Sequence, residues 1–574
     1  MRLTDVRRLT GASLALDRPG AAGEAVDIPD AVLGPVLTLW RRFARTLLDA
    51  VGWSAESIAV RPYPGGASLA VTAPIDGLYA ATDLIERAWD MTQGALDGGA
   101  PDQSTIVADL TRSIGSEANP KIVALAKAAQ DRGATFLVGE DQVSIGLGVR
   151  GRRWPDSAPP EPSAVDWDAL GDIPVAMVTG TNGKSTTVRL TAAIAAAAGR
   201  VVGQCSSDWV RVGNEIVDTG DYSGPSGARQ AARDPRTEVA ILETARGGLM
   251  RRGLAIPRAD VCLITNVAAD HLGDYGIADV PALAEAKFLV ASALRPGGRL
   301  VLNADDRELV RRGARHDGDI AWFSLAPDAH GLDPWIAAGG PAAVLRDGWL
   351  TLARDGATVP VLEVGAFPLG MNGAARFNIA NALGAICVAE ALGLPVEAMR
   401  DGLAGFTGSP DENPGRGNFI ELGGVTVVVD FAHNPHGVAA LLEALATLPA
   451  KRRAVLLGQA GDRSDADTAE MTRVVWAARP DLVVVKELPH KLRGRKLGEI
   501  PAVIEAELRR LGAPDQAITL TGDEIEATRA ALEWARPGDL LVLLIHEDRQ
   551  PVMALLASLQ RRGWRPGQPL DAPA

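Results

Sequence analysis

The sequence predicts an α/β protein with mostly parallel sheets, because patterns typical of buried strands alternate with helical patterns along much of the chain. Apolar runs such as Val239–Glu243 and Val261–Asn266 have the length of strands, and Val280–Leu294 repeats its apolar residues at helical spacing. The alternation restarts with Val425–Asp430 after a break at residues 408–417. Strands separated by helices form parallel sheets that helices cover on both faces. Further strand candidates are Arg299–Asn303, Ala454–Leu457, Leu482–Val485 and Leu540–Ile545.

Two breaks in this pattern divide the chain into three predicted domains. A length of 574 residues exceeds what a single hydrophobic core serves. The proline-rich segment 154–163 (WPDSAPPEPS) predicts a linker, which sets off a small α+β N-terminal domain at residues 1–160. The break at 408–417 separates a central domain, residues 161–411, from a Rossmann-like C-terminal domain, residues 412–574.

The composition excludes several classes of function. A net charge of −13 argues against nucleic acid or an anionic membrane as the main partner, although basic spots such as Arg251-Arg252 can bind a small anion. No apolar run approaches the ~20 residues that span a bilayer, and the N-terminus lacks a signal pattern. The widely spaced Cys205, Cys262 and Cys387 indicate reduced thiols. We therefore expect a cytoplasmic protein.

The segment 175–187 (VAMVTGTNGKSTT) has the pattern of a phosphate-binding loop. A strand pattern ends at Thr179, a glycine-bearing turn follows, and Lys184 and Ser185 open an alanine-rich helix pattern. In such a junction the helix N-terminus faces nucleotide phosphates, the lysine neutralises them and the hydroxyl reaches Mg²⁺. Val178 occupies the position of the first Walker A glycine, so the loop is a compact form. The alternative is a chance Gly-Lys-Ser in a turn.

Polar residues follow three of the predicted strands of the central domain. Because the carboxyl ends of parallel strands meet at one edge of a sheet, we expect these residues to lie near Ser185. A carboxylate and an imidazole at that place form a candidate site for Mg²⁺, which keeps several waters and needs few protein ligands. The alternative for a lone histidine is a structural role. The residues are Glu243, Asp270 with His271, and Asn303 with Asp305 and Asp306.

Lys287 lies within a helical pattern whose neighbours are mostly apolar. An unpaired buried ammonium is costly, so this lysine either extends its amine to the surface or faces a charged site. In the second case, carbamylation would convert its side chain into an anion that can bind a second cation.

The C-terminal domain opens with its own polar residues near a strand end. Asp430 and His433 stand where the strand Val425–Asp430 meets its following loop. Arg416, in the preceding hinge, has the planar cation that stabilises a transferring phosphoryl group. Two polar loops are candidates for substrate recognition, and they carry Asp462, Arg463, Arg493 and Arg495.

Together these segments resemble the Mur ligase superfamily, most closely the Mur-like half of cyanophycin synthetases. The resemblance extends from about residue 175 to 500, and its order and spacing of motifs are specific. Besides the phosphate-binding loop, the motifs are DYSGP (221–225), LETARGG (242–248), NVAADHLG (266–273), NIANA (378–382), PGR (414–416), DFAHNP (430–435) and LRGR (492–495).

The resemblance implies ATP and Mg²⁺ as cofactors. Lys184 would contact the β- and γ-phosphates, Ser185 and Glu243 would hold Mg²⁺, and His271 would help to hold the metal. Lys287 matches a lysine that is carbamylated in many Mur ligases. Further nucleotide contacts are implied at Gly180, Thr181, Asn182, Gly183, Thr186, Asn303, Asn378, Arg416 and Asp430, with the asparagines at 303 and 378 near the adenine. His433 and Asn434 join the four loop residues as substrate candidates.

The N-terminal region resembles the first domain of cyanophycin synthetases more faintly, through residues 1–9 (MRLTDVRRL) and 142–153 (QVSIGLGVRGRR). The ATP-grasp domain that normally follows the second segment is missing here, and residues 545–549 (IHEDR) depart from an acidic-lysine motif of the family. The resemblance implies a fold with a Mur ligase-type P-loop central domain, and a ligase that joins the carboxylate of an acidic amino acid or peptide to an amino-acid amine.

Other interpretations of the protein's function remain compatible with the resemblance. One is a folylpolyglutamate-type or wall-precursor ligase, and another is a non-catalytic partner of a separate ATP-grasp ligase. By analogy the chain forms a homodimer. The amine, the length of the acceptor and the role of the N-terminal domain do not follow from the sequence.

Overall fold

The computed structural model describes residues 1–99, 102–139 and 141–570. Within these residues the chain forms four sheets. The first sheet lies in the N-terminal domain, where a layer of helices packs on it. This antiparallel sheet has the order β1-β2-β4-β3, and helices α1 and α2 bury their apolar faces on it around Trp40. The elements are β1 Arg2–Leu9, β2 Gly20–Val26, α1 Asp30–Ala50, β3 Ile58–Tyr63, β4 Gly66–Thr72, α2 Leu78–Leu96, α3 Gln103–Glu117 and α4 Pro120–Asp131.

The segment predicted as a linker is packed against a small second sheet. This sheet comprises β5 Phe136–Val138, β6 Gln142–Ile145 and β7 Arg152–Pro155, so the proline-rich segment begins inside a strand. Further along, the Trp167 indole donates a hydrogen bond to the Pro162 carbonyl at 2.9 Å, and Val165 is buried. Pro162 opens a short 3₁₀ turn, Pro162–Ala164, so the chain turns here after its extended start.

The central sheet has eleven strands and carries the predicted alternation. Its order is β11-β10-β9-β12-β8-β13-β14-β15-β16-β17-β18, parallel from β9 to β16 and antiparallel at both ends. The elements are β8 Val175–Thr179, α5 Lys184–Ala197, β9 Val202–Cys205, β10 Trp209–Val212, β11 Glu215–Thr219, α6 Pro225–Arg233, β12 Val239–Glu243, α7 Arg246–Arg252, β13 Ala259–Ile264, α8 Val280–Phe288, β14 Leu294–Asn303, α9 Arg307–Gly313, β15 Asp319–Ser324, α10 Leu332–Ala337, β16 Ala342–Arg346, β17 Trp349–Arg354, β18 Ala357–Glu363, α11 Arg376–Ala391 and α12 Val396–Gly405.

Helices cover both faces of this sheet, as predicted. Helices α5, α11 and α12 share one core with the sheet, and α6 to α9 share the core on the opposite face. Helix α8 ends at Phe288, earlier than the predicted Leu294, because a 3₁₀ turn follows and the next strand begins at Leu294. The predicted α/β class is confirmed.

The C-terminal sheet has the order β19-β20-β24-β21-β22-β23 and is parallel from β20 onward. Helices α13 to α15 cover one face, while α16 and α17 cover the other, as in a Rossmann-like layer. The elements are β19 Arg416–Leu422, β20 Val425–Asp430, α13 Pro435–Ala446, β21 Arg453–Leu457, α14 Asp465–Ala477, β22 Leu482–Lys486, α15 Glu499–Arg510, β23 Ile518–Thr521, α16 Glu524–Trp534, β24 Leu540–Leu544 and α17 Arg549–Arg561.

A fully buried ion pair joins β22 to α16 inside this domain. The Lys486 ammonium donates to the Glu524 carboxylate and to the Leu544 carbonyl. The same carboxylate accepts the backbone N–H groups of His546, Glu547 and Asp548 at 2.6–2.8 Å. Burial alone would raise the pKa of Glu524, but Lys486, His546 and these hydrogen bonds lower it to about 2. The pair therefore holds the loop after β24 against the core.

Replacing Lys486 by methionine is expected to lower the free energy of unfolding by about 3–5 kcal/mol, because it leaves the Glu524 charge buried without its cation. Lys127→Met is the matched control, since Lys127 pairs with Asp131 on the surface and such a pair contributes about 0–1 kcal/mol. Urea unfolding followed by fluorescence measures both. Equal midpoints for the two variants would contradict the prediction.

Candidate active site

The carboxyl ends of β12, β8, β13 and β14 lie side by side at one edge of the central sheet. This adjacency brings together residues that are up to about 120 positions apart in the sequence, as parallel topology requires. The phosphate-binding loop follows β8, Glu243 ends β12, and Asn303 ends β14. The predicted site residues of the central domain therefore share one edge.

The loop from Gly180 to Gly183 follows a path that only glycine fits at two positions. A Cβ on Gly180 would stand 1.8 Å from the Thr265 hydroxyl oxygen, and one on Gly183 would stand 2.1 Å from the Asn381 side-chain oxygen. The backbone N–H of Asn182 donates to the side chain of Asn266, after β13, at 2.9 Å. The loop is thus held against the neighbouring strand before any ligand arrives.

The Thr181 N–H donates to the Asn266 carbonyl at 2.9 Å, and the Thr181 hydroxyl to Ala268. The Lys184 ammonium bends back over the loop and donates to the carbonyls of Gly180 and Thr181 at 3.1 and 2.9 Å. Thr186 is buried in the first turn of α5. The N-terminal N–H groups of α5 and the lysine charge therefore face one cavity.

Ser185 and Glu243 form an oxygen pair beside this loop. The Ser185 hydroxyl donates to the Glu243 carboxylate at 2.8 Å and lies 3.2 Å from the Ser207 hydroxyl. Burial raises the pKa of Glu243, although Lys184, Ser185 and Arg416 oppose that shift. A hydroxyl and a carboxylate are ligands that suit Mg²⁺, so these two residues fit a divalent cation.

Asp270, His271 and His433 form a second cluster between the two larger domains. One ligand atom from each lies within 4.8 Å of the others, and Arg463 donates to Asp270 at 2.8 Å. Burial would raise the pKa of Asp270, but His433, His271 and Arg463 hold it well below its usual range. Burial, with Arg463 nearby, lowers the pKa of His271 to about 4. At neutral pH this imidazole is uncharged and available as a ligand.

Lys287 is buried on α8 and faces the same cavity. Burial lowers its pKa well below the usual value, and the positive charge of Lys184 adds to this shift. Burial thus favours the uncharged amine, which is the form that reacts with carbon dioxide to give a carbamate. The structure thus favours the second of the two sequence interpretations, in which Lys287 faces a charged site.

The C-terminal domain closes onto the phosphate-binding loop. The side-chain amides of Asn182 and Asn434 exchange two hydrogen bonds, at 2.9 and 3.1 Å. Arg416 donates to Ser207 at 3.0 Å and stacks on Phe431, while Asp430 lies partly buried at the end of β20. Asn434, predicted as a substrate contact, is also the N-cap of α13 and connects the domains.

The main cavity has a volume of about 1000 Å³ and runs from the phosphate-binding loop to two buried asparagines. Asn303 donates to the Thr265 carbonyl at 3.0 Å, and Asn378 donates to the Leu369 carbonyl at 3.2 Å. Phe323 and Phe377 line the cavity beside them. Apolar rings next to fixed amides suit a nucleobase.

A neighbouring cavity of about 690 Å³ shares His271, Phe431 and His433 with the first. Asp462, Arg463 and Arg493 line it, with Arg493 paired to Asp462. Arg495 instead donates to the carbonyls of Gly461 and Arg463, so it organises the loop backbone.

The structure also places residues in this second cavity that sequence reasoning missed. They are Ser207, Asp208 and Lys491, and beside them lie His546, Glu547 and Arg549 from the segment 545–549 that departs from the family's motif. Asp208 pairs with both Arg189 and Arg549, and its signal was a polar run directly after the short strand β9.

Comparison with known proteins gives the class of this site. Residues 178–389 match the Mur ligase middle domain, and residues 415–544 match the Mur ligase glutamate ligase domain. The matched segments together cover more than half of the chain, and the chain belongs to the Mur ligase family. Among the described residues, no helix is long and apolar enough to cross a membrane.

Individual relatives are similar over different shares of their length. The chain is 38% identical over 374 residues to the cyanophycin synthetase of Trichormus variabilis, an alignment that covers 65% of this chain and 41% of that enzyme. It thus spans about two fifths of the cyanophycin synthetases that it matches. It is 29% identical to the UDP-N-acetylmuramoyl-L-alanyl-D-glutamate–2,6-diaminopimelate ligase of Geobacter metallireducens, over 76% of this chain and 86% of that enzyme. The E. coli FolC structure with ADP is 20% identical, covers 68% of this chain and 90% of its own, and superposes with a TM-score of 0.49.

Substituting alanine for Gly183 is expected to abolish tight nucleotide binding, because the new Cβ would collide with Asn381 and the residue has a φ of +85°. Gly199→Ala is the matched control: its φ is +77°, but the space around its Cβ is open. Both substitutions add backbone strain of about 1 kcal/mol or more. Only Gly183→Ala also creates the collision with Asn381. Titration with a fluorescent ATP analogue compares them, and equal affinities would refute the assignment.

Proposed function

We propose that this protein is an ATP-dependent amide ligase that joins the carboxylate of an acidic amino acid or peptide to an amino-acid amine, in the manner of cyanophycin synthetases. The observation that carries the proposal is one closed cleft that unites the phosphate-binding loop, the Ser185–Glu243 pair and the Asp270–His271–His433 cluster. Membership of the Mur ligase family supports the class of reaction.

The reaction proceeds through an acyl phosphate. A carboxylate oxygen of the acceptor attacks the γ-phosphorus of ATP in line, and the bond to the β–γ bridging oxygen breaks to release ADP. The amine nitrogen of the second substrate then attacks the acyl carbon. The carbon–oxygen bond to phosphate breaks, phosphate leaves with the electron pair, and the amine loses one proton to phosphate or water.

The chain's own residues position and stabilise the phosphoryl group. Lys184, now bonded to the loop carbonyls, would hold the β- and γ-phosphates of bound ATP, and Arg416, in the hinge, would hold its γ-phosphate. Ser185, Glu243 and His271 would hold Mg²⁺, which when bound offsets the charge of the phosphates. A carbamate on Lys287 would add a carboxylate-like ligand for a second cation.

Domain closure protects the acyl phosphate from water. The bonds Asn182–Asn434 and Arg463–Asp270 cross the domain boundary at the mouth of the cleft. Exclusion of water favours attack by the amine over hydrolysis. The second cavity opens on the opposite side of His271 and His433, and we assign it to the amine substrate.

The first test is phosphate release by the purified protein with ATP and Mg²⁺. Single amino acids and short peptides that contain aspartate or glutamate are supplied in pairs, and mass spectrometry identifies products. We expect release that needs both an acidic acceptor and one amine, with a product lighter than their sum by one water. Tight ATP binding without turnover on any pair would instead support a partner subunit of a separate ATP-grasp ligase.

Lys184→Ala is expected to reduce turnover by a factor of about 10²–10³ or more, because it removes the cation that faces the developing charge. Lys127→Ala, on the exposed face of α4, provides a control that keeps full activity. Circular dichroism establishes that both variants are folded. Undiminished turnover in the folded Lys184 variant would refute the proposed function.

A further inference from the structure

The carboxylate of Asp208, in the turn between β9 and β10, binds arginines from two domains. Its Oδ2 atom pairs with Arg189 of α5, and its Oδ1 atom pairs with Arg549, the first residue of α17 in the C-terminal domain. Burial would raise the pKa of this carboxyl, but Arg189, Arg416 and Arg549 together lower it. The charge of Asp208 is therefore compensated from both sides of the domain boundary.

Asp208 lines the second cavity, yet its side chain is only 1% exposed and both of its oxygens are paired. Arg189 is fixed in its turn, because its guanidinium lies 4.5 Å from the centroid of the Trp209 ring and donates to the Ser206 hydroxyl at 3.2 Å. A buried ion pair of this kind holds other groups in place rather than offering a free carboxylate to a ligand.

The same two arginines hold the hinge that carries Arg416. The Arg189 Nη1 atom donates to the side-chain oxygen of the buried Asn413 at 2.7 Å, and the Asn413 amide donates to the Arg416 carbonyl at 3.3 Å. Arg549 packs against Gly415, where an added Cβ would stand 2.5 Å from the Arg549 Cδ atom. The hinge is thus fixed between α5 of the central domain and α17 of the C-terminal domain.

This fixed hinge directs the Arg416 side chain to the oxygen pair beside the phosphate-binding loop. The Arg416 Nη2 atom donates to the Ser207 hydroxyl at 3.0 Å. That hydroxyl lies 3.2 Å from the Ser185 hydroxyl, which donates to Glu243 at 2.8 Å. Ser207 directly precedes Asp208, so the same turn holds the hinge and supplies the hydrogen-bond acceptor of Arg416.

We propose that Asp208 is a positioning residue for Arg416, and that Arg549 of the C-terminal domain completes this function. We call Arg189, Asp208 and Arg549 the hinge clamp. While the hinge clamp is formed, the Arg416 guanidinium is held beside the oxygen pair. When the outer cation is lost, the hinge relaxes and the guanidinium is displaced from the transferring phosphoryl group. Such a displacement slows the chemical step more than it weakens the binding of ATP. This inference rests on the proposed function for the identity of the transferring group.

Tryptic cleavage of the bond between Arg416 and Gly417 tests the hinge clamp without requiring turnover. The Arg549 side chain is 23% exposed, and its replacement by glutamine leaves the buried pair of Asp208 and Arg189 in place. We expect about 10-fold faster cleavage in Arg549→Gln, because a charged contact that opposes opening of the hinge is lost. Mass spectrometry of the fragments 1–416 and 417–574 identifies the cut.

Two further variants show whether the charge is responsible. Arg549→Lys keeps the cation and should restore most of the protection. Arg561→Gln, exposed at the other end of α17, is the matched control and should be cleaved like the unaltered protein. In an Asp208→Asn background, Arg549→Gln should have no further effect, since the two residues act as one unit.

Kinetics with a substrate pair that supports turnover tests the consequence for Arg416. We expect Arg549→Gln to lower kcat about 10-fold, with the KM values for ATP and for the amine changed by less than about twofold. Arg549→Lys should recover most of the rate. A rise in the KM for the amine at unchanged kcat would overturn the proposal, because it would assign Arg549 to substrate binding instead.

The outcomes separate this inference from the proposed function. Unchanged cleavage between Arg416 and Gly417 in Arg549→Gln would overturn the hinge clamp, and so would faster cleavage that Arg549→Lys does not reverse. Turnover that Arg549→Gln leaves unaltered would uphold the ligase and overturn the positioning role. Faster cleavage that Arg549→Lys reverses, in a protein without turnover on any pair, would uphold the hinge clamp and overturn the ligase.

Discussion

The closed arrangement of the two larger domains depends on one partly buried carboxylate, that of Asp270. It belongs to the central domain, yet Arg463 and His433, which compensate its charge, belong to the C-terminal domain. Burial makes a carboxylate more costly unless it is paired, so closure of the domains and compensation of this charge occur together. The same three groups surround His271 and separate the two cavities. Closing the cleft thus assembles the boundary between the two cavities.

The local sequence pattern was sufficient to predict the strands that carry the site. Val239–Glu243 and Val425–Asp430 were predicted to the residue, because runs of aliphatic side chains in central parallel strands are unambiguous. The glycine-bearing turn before Lys184 was equally readable, since its backbone path excludes side chains at Gly180 and Gly183. Parallel topology then implied that Glu243 and Asn303 lie near that loop, and the structure has them there.

Contacts between distant segments were not predictable in the same way. The paired amides of Asn182 and Asn434 are 252 positions apart, and no periodicity links them. Asp208 follows β9, a strand of four residues whose pattern is too short to distinguish from a loop. The packed turns around Trp167 were hidden by a proline-rich composition that is typical of linkers. The partners of Asn182 and Asp208 lie far away in the sequence, so local pattern alone does not specify them.

The position of the Glu524 carboxylate has a consequence for how this protein's sequence can diverge. It holds the loop at residues 546–548 through three backbone N–H groups, so the loop keeps its shape whatever side chains it bears. The side chains of His546 and Glu547 meanwhile line the second cavity. The backbone N–H groups of this loop therefore fix its shape, while its side chains determine what the second cavity can bind. A lineage can exchange the side chains that line this cavity while the buried carboxylate in the core preserves the loop's backbone.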